Sequence, residues 1–170
     1  MAEYTGPVCA ICGVRACSEE PGSKDYPEFC PVPVSQALLR EVERVYIEDE
    51  SVRRLSQESA RTEAARYGKA TRVEEIMDFA RRLGAERLGI AHCVGLMREA
   101  RLARAIFQAG GFEVYTACCK VGSIPKEAIG LEDGEKIRPG QFEALCSPVG
   151  QAPLRGQAPC CIKRVPSSTW

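Results

Sequence analysis

The chain has 170 residues, of which 45% are hydrophobic and 27% charged, enough apolar material for one domain with its own core. Lys plus Arg equal Asp plus Glu at 23 each, so no global field recruits nucleic acid or an anionic membrane. No apolar run approaches the roughly 18 residues of a membrane helix, and "MAEYTGPVCAICG" lacks the basic and apolar parts of a secretory signal. A cytoplasmic protein is expected, in which the ten cysteines stay reduced and serve as metal ligands or redox groups rather than as a disulfide framework.

Residues 1–34 hold four cysteines and five prolines without sustained periodicity, a loop-rich segment that burial alone would not order. From Ser35, a plausible N-cap, "SQALLREVERVYI" places Leu38, Leu39, Val42, Val45 and Tyr46 on one helical face. A second helix is predicted through "DESVRRLSQESARTEAARYG", stopping at Gly68. Thr71 then caps "RVEEIMDFARRLG", with Glu74 three residues later and Gly84 closing the pattern. The apolar run "RLGIAHC", the amphipathic "VGLMREARLARAIFQAGG" and the second run "FEVYTACC" spell strand, helix, strand. That spacing predicts a βαβ crossover and hence a parallel sheet.

The fold class expected is therefore α/β, a layered parallel-sheet domain over residues 35–152 preceded by a cysteine-rich metal-binding segment at 1–34. "KVGSIPKEAIGLEDGEKIRPGQ" reads as a polar connection, and "QFEALC" as the start of a helix. Residues 153–170 are expected to form an irregular tail, because they have no usable period and carry prolines at 153, 159 and 166.

The chemistry lies in the cysteines. Cys9 and Cys12 form C-x-x-C, a turn that directs two sulfurs inward, and Cys17 and Cys30 supply the further ligands of a tetrahedral zinc or an iron–sulfur cluster. Only half of the double-knuckle pattern is present, so a redox dithiol stays an alternative, although such pairs usually open a helix after a strand.

Cys93, Cys118 and Cys119 end the two predicted strands, on the edge of a parallel sheet where ligands bind. At a helix N-terminus the Cys93 thiolate would be stabilised; a small buried hydrophobe at a strand end is the plain alternative. Cys146 could complete such a site from a loop. Cys160 and Cys161 are incidental on this reading. His92 is the single histidine, so neither a His-rich metal centre nor a Ser-His-Asp triad has much to build on. No nucleotide-binding glycine motif is present; Lys120 and Lys126, near a strand end, could meet an anion but read first as solvated side chains.

At "CAICG…C", "LGIAHCVGLMREA", "GFEVYTACCKVG", "PKEAIG", "EKIRPGQFEALC" and "SPVGQA" the chain resembles a cysteine-rich prokaryotic family, domain of unknown function 1847, commonly labelled metal-binding and found largely in anaerobes. The resemblance runs from about Cys9 to Ala152. It implies that Cys9, Cys12, Cys17 and Cys30 act as one metal-binding group, and that Cys93, Cys119 and Cys146 form a second, cofactor-binding group. Ser147 stands where the family is expected to have Asn. The family is also expected to continue with a strand, a glycine-rich cysteine-containing segment and a further strand, where "PLRGQAPCCIKRVPSSTW" reads like out-of-frame translation.

The function expected is that of a cytoplasmic cysteine-rich protein binding zinc or an iron–sulfur cluster. The alternatives are a thiol-dependent redox enzyme using Cys93 and Cys119, or a zinc-stabilised interaction module. A metal ion is the one partner implied; nothing points to nucleic acid or a membrane, and the sequence names no protein partner.

Overall fold

A computed structural model describes residues 6–156. The chain divides into two compact units, Met1–Gln57 and Glu58–Trp170, with the boundary inside one helix.

The first unit begins with two 3-10 turns, Cys9–Ile11 and Ala16–Ser18. Between them Arg15 takes a left-handed conformation, φ 54°, which turns the chain sharply. The single-turn α1 (Pro31–Val34) runs into α2 (Gln36–Glu48), and α3 (Glu50–Arg66) crosses the unit boundary. Ser35 sits between α1 and α2 as expected, but its side chain makes no capping bond. Its backbone joins the two helices instead, donating to Pro31 O and accepting from Leu39 N, both at 2.9 Å. The apolar stripe of α2 forms as the period requires, and its members Leu38, Leu39, Val42, Val45 and Tyr46 are all exposed.

In the second unit, Gly68 turns the chain after α3 with φ +65°. Thr71 and Glu74 make the reciprocal capping box that opens α4 (Arg72–Arg82), with Thr71 N donating to Glu74 Oε2 at 2.7 Å. Strand β1 (Arg87–His92), helix α5 (Met97–Ala109) and strand β2 (Glu113–Cys118) follow in order, and the strands pair in parallel from Arg87↔Glu113 to His92↔Cys118. Ala80 of α4, Phe107 of α5, Phe112 and Val114 form the buried core, with Met77, Leu88 and Ile90 against it. The protein is thus of mixed helix and strand. Its sheet is smaller than the layered one expected: among the described residues it has two strands.

Two expectations about the C-terminal part are corrected. Residues 141–146 start no helix; Ala144 instead makes an isolated antiparallel bridge with Pro125. The reason is local: Glu143 is drawn back onto Lys126 and onto the Arg138 N–H, which closes residues 125–144 into a loop. The irregular tail does not begin at Pro153, because α6 runs from Pro148 to Gly156. Ser147 starts it by accepting from Gly150 N at 3.1 Å, and α6 packs on β1 and β2. The rest of the expected tail, with Cys160 and Cys161, lies outside the described residues.

Candidate thiol sites

Parallel register brings the second cysteine group together. His92 and Cys118 are the last paired residues, so Cys93 and Cys119 occupy the next positions, side by side past the carboxyl ends of β1 and β2. Cys119 N donates to His92 O at 2.8 Å, continuing the pairing by one bond. After Cys93 the chain winds into a 3-10 turn, Val94–Leu96, that feeds α5. Such a turn leaves its first N–H groups without backbone acceptors. Here they meet sulfur: Gly95 N donates to Cys93 Sγ at 3.4 Å, and Val94 N to Cys119 Sγ at 3.3 Å. The helix start therefore serves both thiols rather than Cys93 alone.

Cys146 arrives from the far end of the 125–144 loop. Ser147 N donates to Cys119 O at 2.7 Å, which fixes this segment against the strand end. Lys120, expected to be solvated, places its ammonium 3.4 Å from Cys146 Sγ and on the Ala144 carbonyl. Lys126, also expected to be solvated, pairs with Glu143 at 2.6 Å. The Lys120 hydrogen bond, then one from Cys119, then the Lys120 charge, hold the Cys146 thiol below its ordinary range despite some burial. The neighbouring Cys119 goes the other way. The Val94 N–H favours its thiolate, but burial and the thiols of Cys146 and Cys93 outweigh that and push it up. Cys119 is buried between two exposed cysteines.

Gln151 of α6 closes the site from behind. Its amide nitrogen donates to His92 O at 3.0 Å and Ala117 O at 2.9 Å, one carbonyl from each strand. Both acceptors are carbonyls, so the orientation of the amide is fixed by the network. His92 turns its ring aside, with Nδ1 3.0 Å from the Cys93 carbonyl oxygen, and takes no part in the thiol cluster. Cys118, one residue from Cys119, is half-buried and bonds none of these groups.

The N-terminal group is arranged differently. Cys9, Cys12, Cys17 and Cys30 all line one cavity of about 220 Å³, shared with Tyr26 and Phe29. Arg15 N donates to Cys12 Sγ at 3.5 Å, the kind of bond that supports a thiolate in a cysteine turn. As a donor set, four thiols around one cavity suit a soft metal. Their geometry is looser than a closed site, because among the described residues no three Cys, His, Asp or Glu side chains are arranged to hold a metal ion. No disulfide joins any of the eight described cysteines.

The sequence aligns with the family described as "Protein of unknown function (DUF1847)" over residues 30–162. The chain belongs to that family. The DUF1847 match takes in Cys30, Cys93, Cys119 and Cys146 and begins after Cys9, Cys12 and Cys17, so it starts later than the resemblance suggested and extends past Ala152. The chain is also 35% identical over 146 residues to an uncharacterised protein of Methanocaldococcus jannaschii, an alignment covering 86% of this chain and 67% of that relative. No solved structure matches the chain significantly. Among the described residues no helix is long and apolar enough to cross a membrane.

Proposed function

We propose that this DUF1847 protein is a cytoplasmic cysteine-based metal-binding protein, with Cys9, Cys12, Cys17 and Cys30 as the ligands of zinc or an iron–sulfur cluster. The supporting observation is that these four cysteines, spread over 22 positions, face one cavity. Bound there, the metal supplies cross-linking and, if a cluster, electron transfer. The chain's own part is to present four sulfurs and the Arg15 N–H that bonds one of them. Because the sulfurs stand apart, binding must draw them inward, and metal affinity is then also folding free energy for the segment before Pro31.

The test is metal analysis and an absorption spectrum of anaerobically purified protein. One zinc per chain, or broad absorbance near about 400 nm from a cluster, is expected and should vanish in Cys9→Ser/Cys12→Ser. Metal-free wild-type protein after expression with zinc and iron supplied would refute the reading.

A second reading is favoured by a separate observation, the contact of the Lys120 ammonium with Cys146 beside buried Cys119. Here Cys93, Cys119 and Cys146 form a reactive thiol site. Faster alkylation of Cys146 than of free N-acetylcysteine at neutral pH tests it, and equal rates would exclude it.

A further inference from the structure

Building on the thiol-site reading, we propose that Cys146 and Cys119 form a dithiol pair that reduces small disulfides, with Cys146 as the attacking thiol, Cys119 as the resolving thiol and Lys120 as the cation that positions the attack. The expectation from sequence paired Cys93 with Cys119; the geometry reassigns the first role. Cys146 is exposed, so a substrate disulfide can reach its sulfur, and it is the cysteine that carries a side-chain cation, Lys120 Nζ at 3.4 Å. Cys119 is buried and shielded from bulk reagents. The Ser147 N–H to Cys119 O bond of 2.7 Å holds the residue after Cys146 against the Cys119 backbone, so the two cysteines lie on adjoining segments. Cys93 differs: its sulfur is bound by Gly95 N, with no lysine in contact among its hydrogen bonds.

The reaction balances without any bound group. The Cys146 thiolate attacks one sulfur of a low-molecular-weight disulfide, forming a mixed disulfide and expelling one thiolate. Cys119, losing its proton to that thiolate or to solvent, then attacks Cys146 Sγ. The mixed disulfide breaks, a Cys119–Cys146 disulfide forms, and the second thiolate leaves. Two electrons pass from the protein dithiol to the substrate, which is reduced to two thiols. The Val94 N–H on Cys119 Sγ would stabilise the resolving sulfur as its proton departs.

The test uses the full reduced chain, oxidised glutathione as probe, acid quenching, alkylation of the remaining thiols and peptide mapping. Wild-type protein should lose two thiols together and give a peptide linking Cys119 to Cys146. Cys119→Ser should instead accumulate glutathione on Cys146. Lys120→Met should slow modification of Cys146 several-fold, and Lys120→Arg should restore most of the rate, which a merely structural role for Lys120 would not predict. A Cys93–Cys119 link, or stable glutathione on Cys146 of the wild type, would overturn the pair while leaving the reactive-thiol reading standing. Cys146 modified no faster than free N-acetylcysteine would overturn both. The wild-type measurements decide the matter even if a variant fails to fold.

Discussion

Gln151 offers the most direct test of how the thiol edge is held. Its side chain is buried at 8% exposure and gives both amide hydrogens to strand-end carbonyls 59 and 34 residues away in sequence. In Gln151→Ala both bonds are lost. Each is worth about 0.5–1.5 kcal/mol net. His92 O keeps the Cys119 N–H as a partner, and Ala117 O lies on the bonded edge of the parallel ladder, so neither carbonyl is left orphaned. The sum is a loss of about 1–3 kcal/mol, read as a drop of roughly 1 M in the urea midpoint followed by circular dichroism. Gln151→Glu is the sharper probe. An ionised carboxylate would face two carbonyl oxygens with no hydrogen to give, so its folded-state pKa must rise above the ordinary value of about 4.3. A raised acid pKa means stability is retained while the group is protonated and lost as pH climbs. Gln151→Glu should therefore approach wild type at acid pH and fall below Gln151→Ala near neutrality. A loss under about 0.5 kcal/mol for Ala, or a pH-independent Glu variant, would refute the account of two donated bonds.

Phe107→Ala, which empties the centre of the small core, should cost about 3 kcal/mol in urea unfolding; Ile137→Ala, at 84% exposure, should stay within about 0.5 kcal/mol. The 125–144 loop should open on acidification. Hydrogen bonds from Lys136 hold Glu127 and Asp133 below their ordinary pKa values, and one from Lys126 does the same for Glu143. Stability from depressed carboxyls is present above their unfolded pKa values and lost as pH falls through the folded ones, so amide exchange in 126–143, corrected for intrinsic rate, should accelerate below about pH 4. Unchanged protection there would show that the ion pairs do not hold the loop. Lys136→Met should free the same amides at neutral pH, since the Lys136 ammonium also binds Gln141 O at 2.6 Å.

What was legible in the sequence was local. The Thr71/Glu74 box, the left-handed glycines at 68 and 84, and the two strands were all set by residues within a few positions of one another. Parallel pairing of those strands also sets Cys93 beside Cys119. What escaped was held at a distance. Lys120 could be read only as a cation near a strand end, because its sulfur partner lies 26 residues on. Gln151 stands in the "SPVGQA" motif with nothing local to assign it a role, yet its amide is fixed by carbonyls from both strands. "QFEALC" has helical composition and lost to an ion pair with Lys126 and a bridge at Pro125. The stripe on α2 shows the converse, since periodicity set the helix face without saying what would cover it.

The doublet Cys118-Cys119 carries a consequence of its own. Successive residues of a strand face opposite ways, so only one of two chemically identical neighbours is delivered to the sheet edge beside Cys93. One residue inserted in β2 after Val114 would move Cys118 into the address of Cys119 and turn the original Cys119 away. The cluster would then keep its thiol, and Ser147 a carbonyl to bond, but Lys120 would be displaced by one step from the sulfur it binds. Such a change would be nearly invisible to composition and to a simple count of cysteines. It would separate Cys146 from the Lys120 ammonium, so the spacing between the doublet and the start of its strand shapes the site as much as the sulfur atoms themselves.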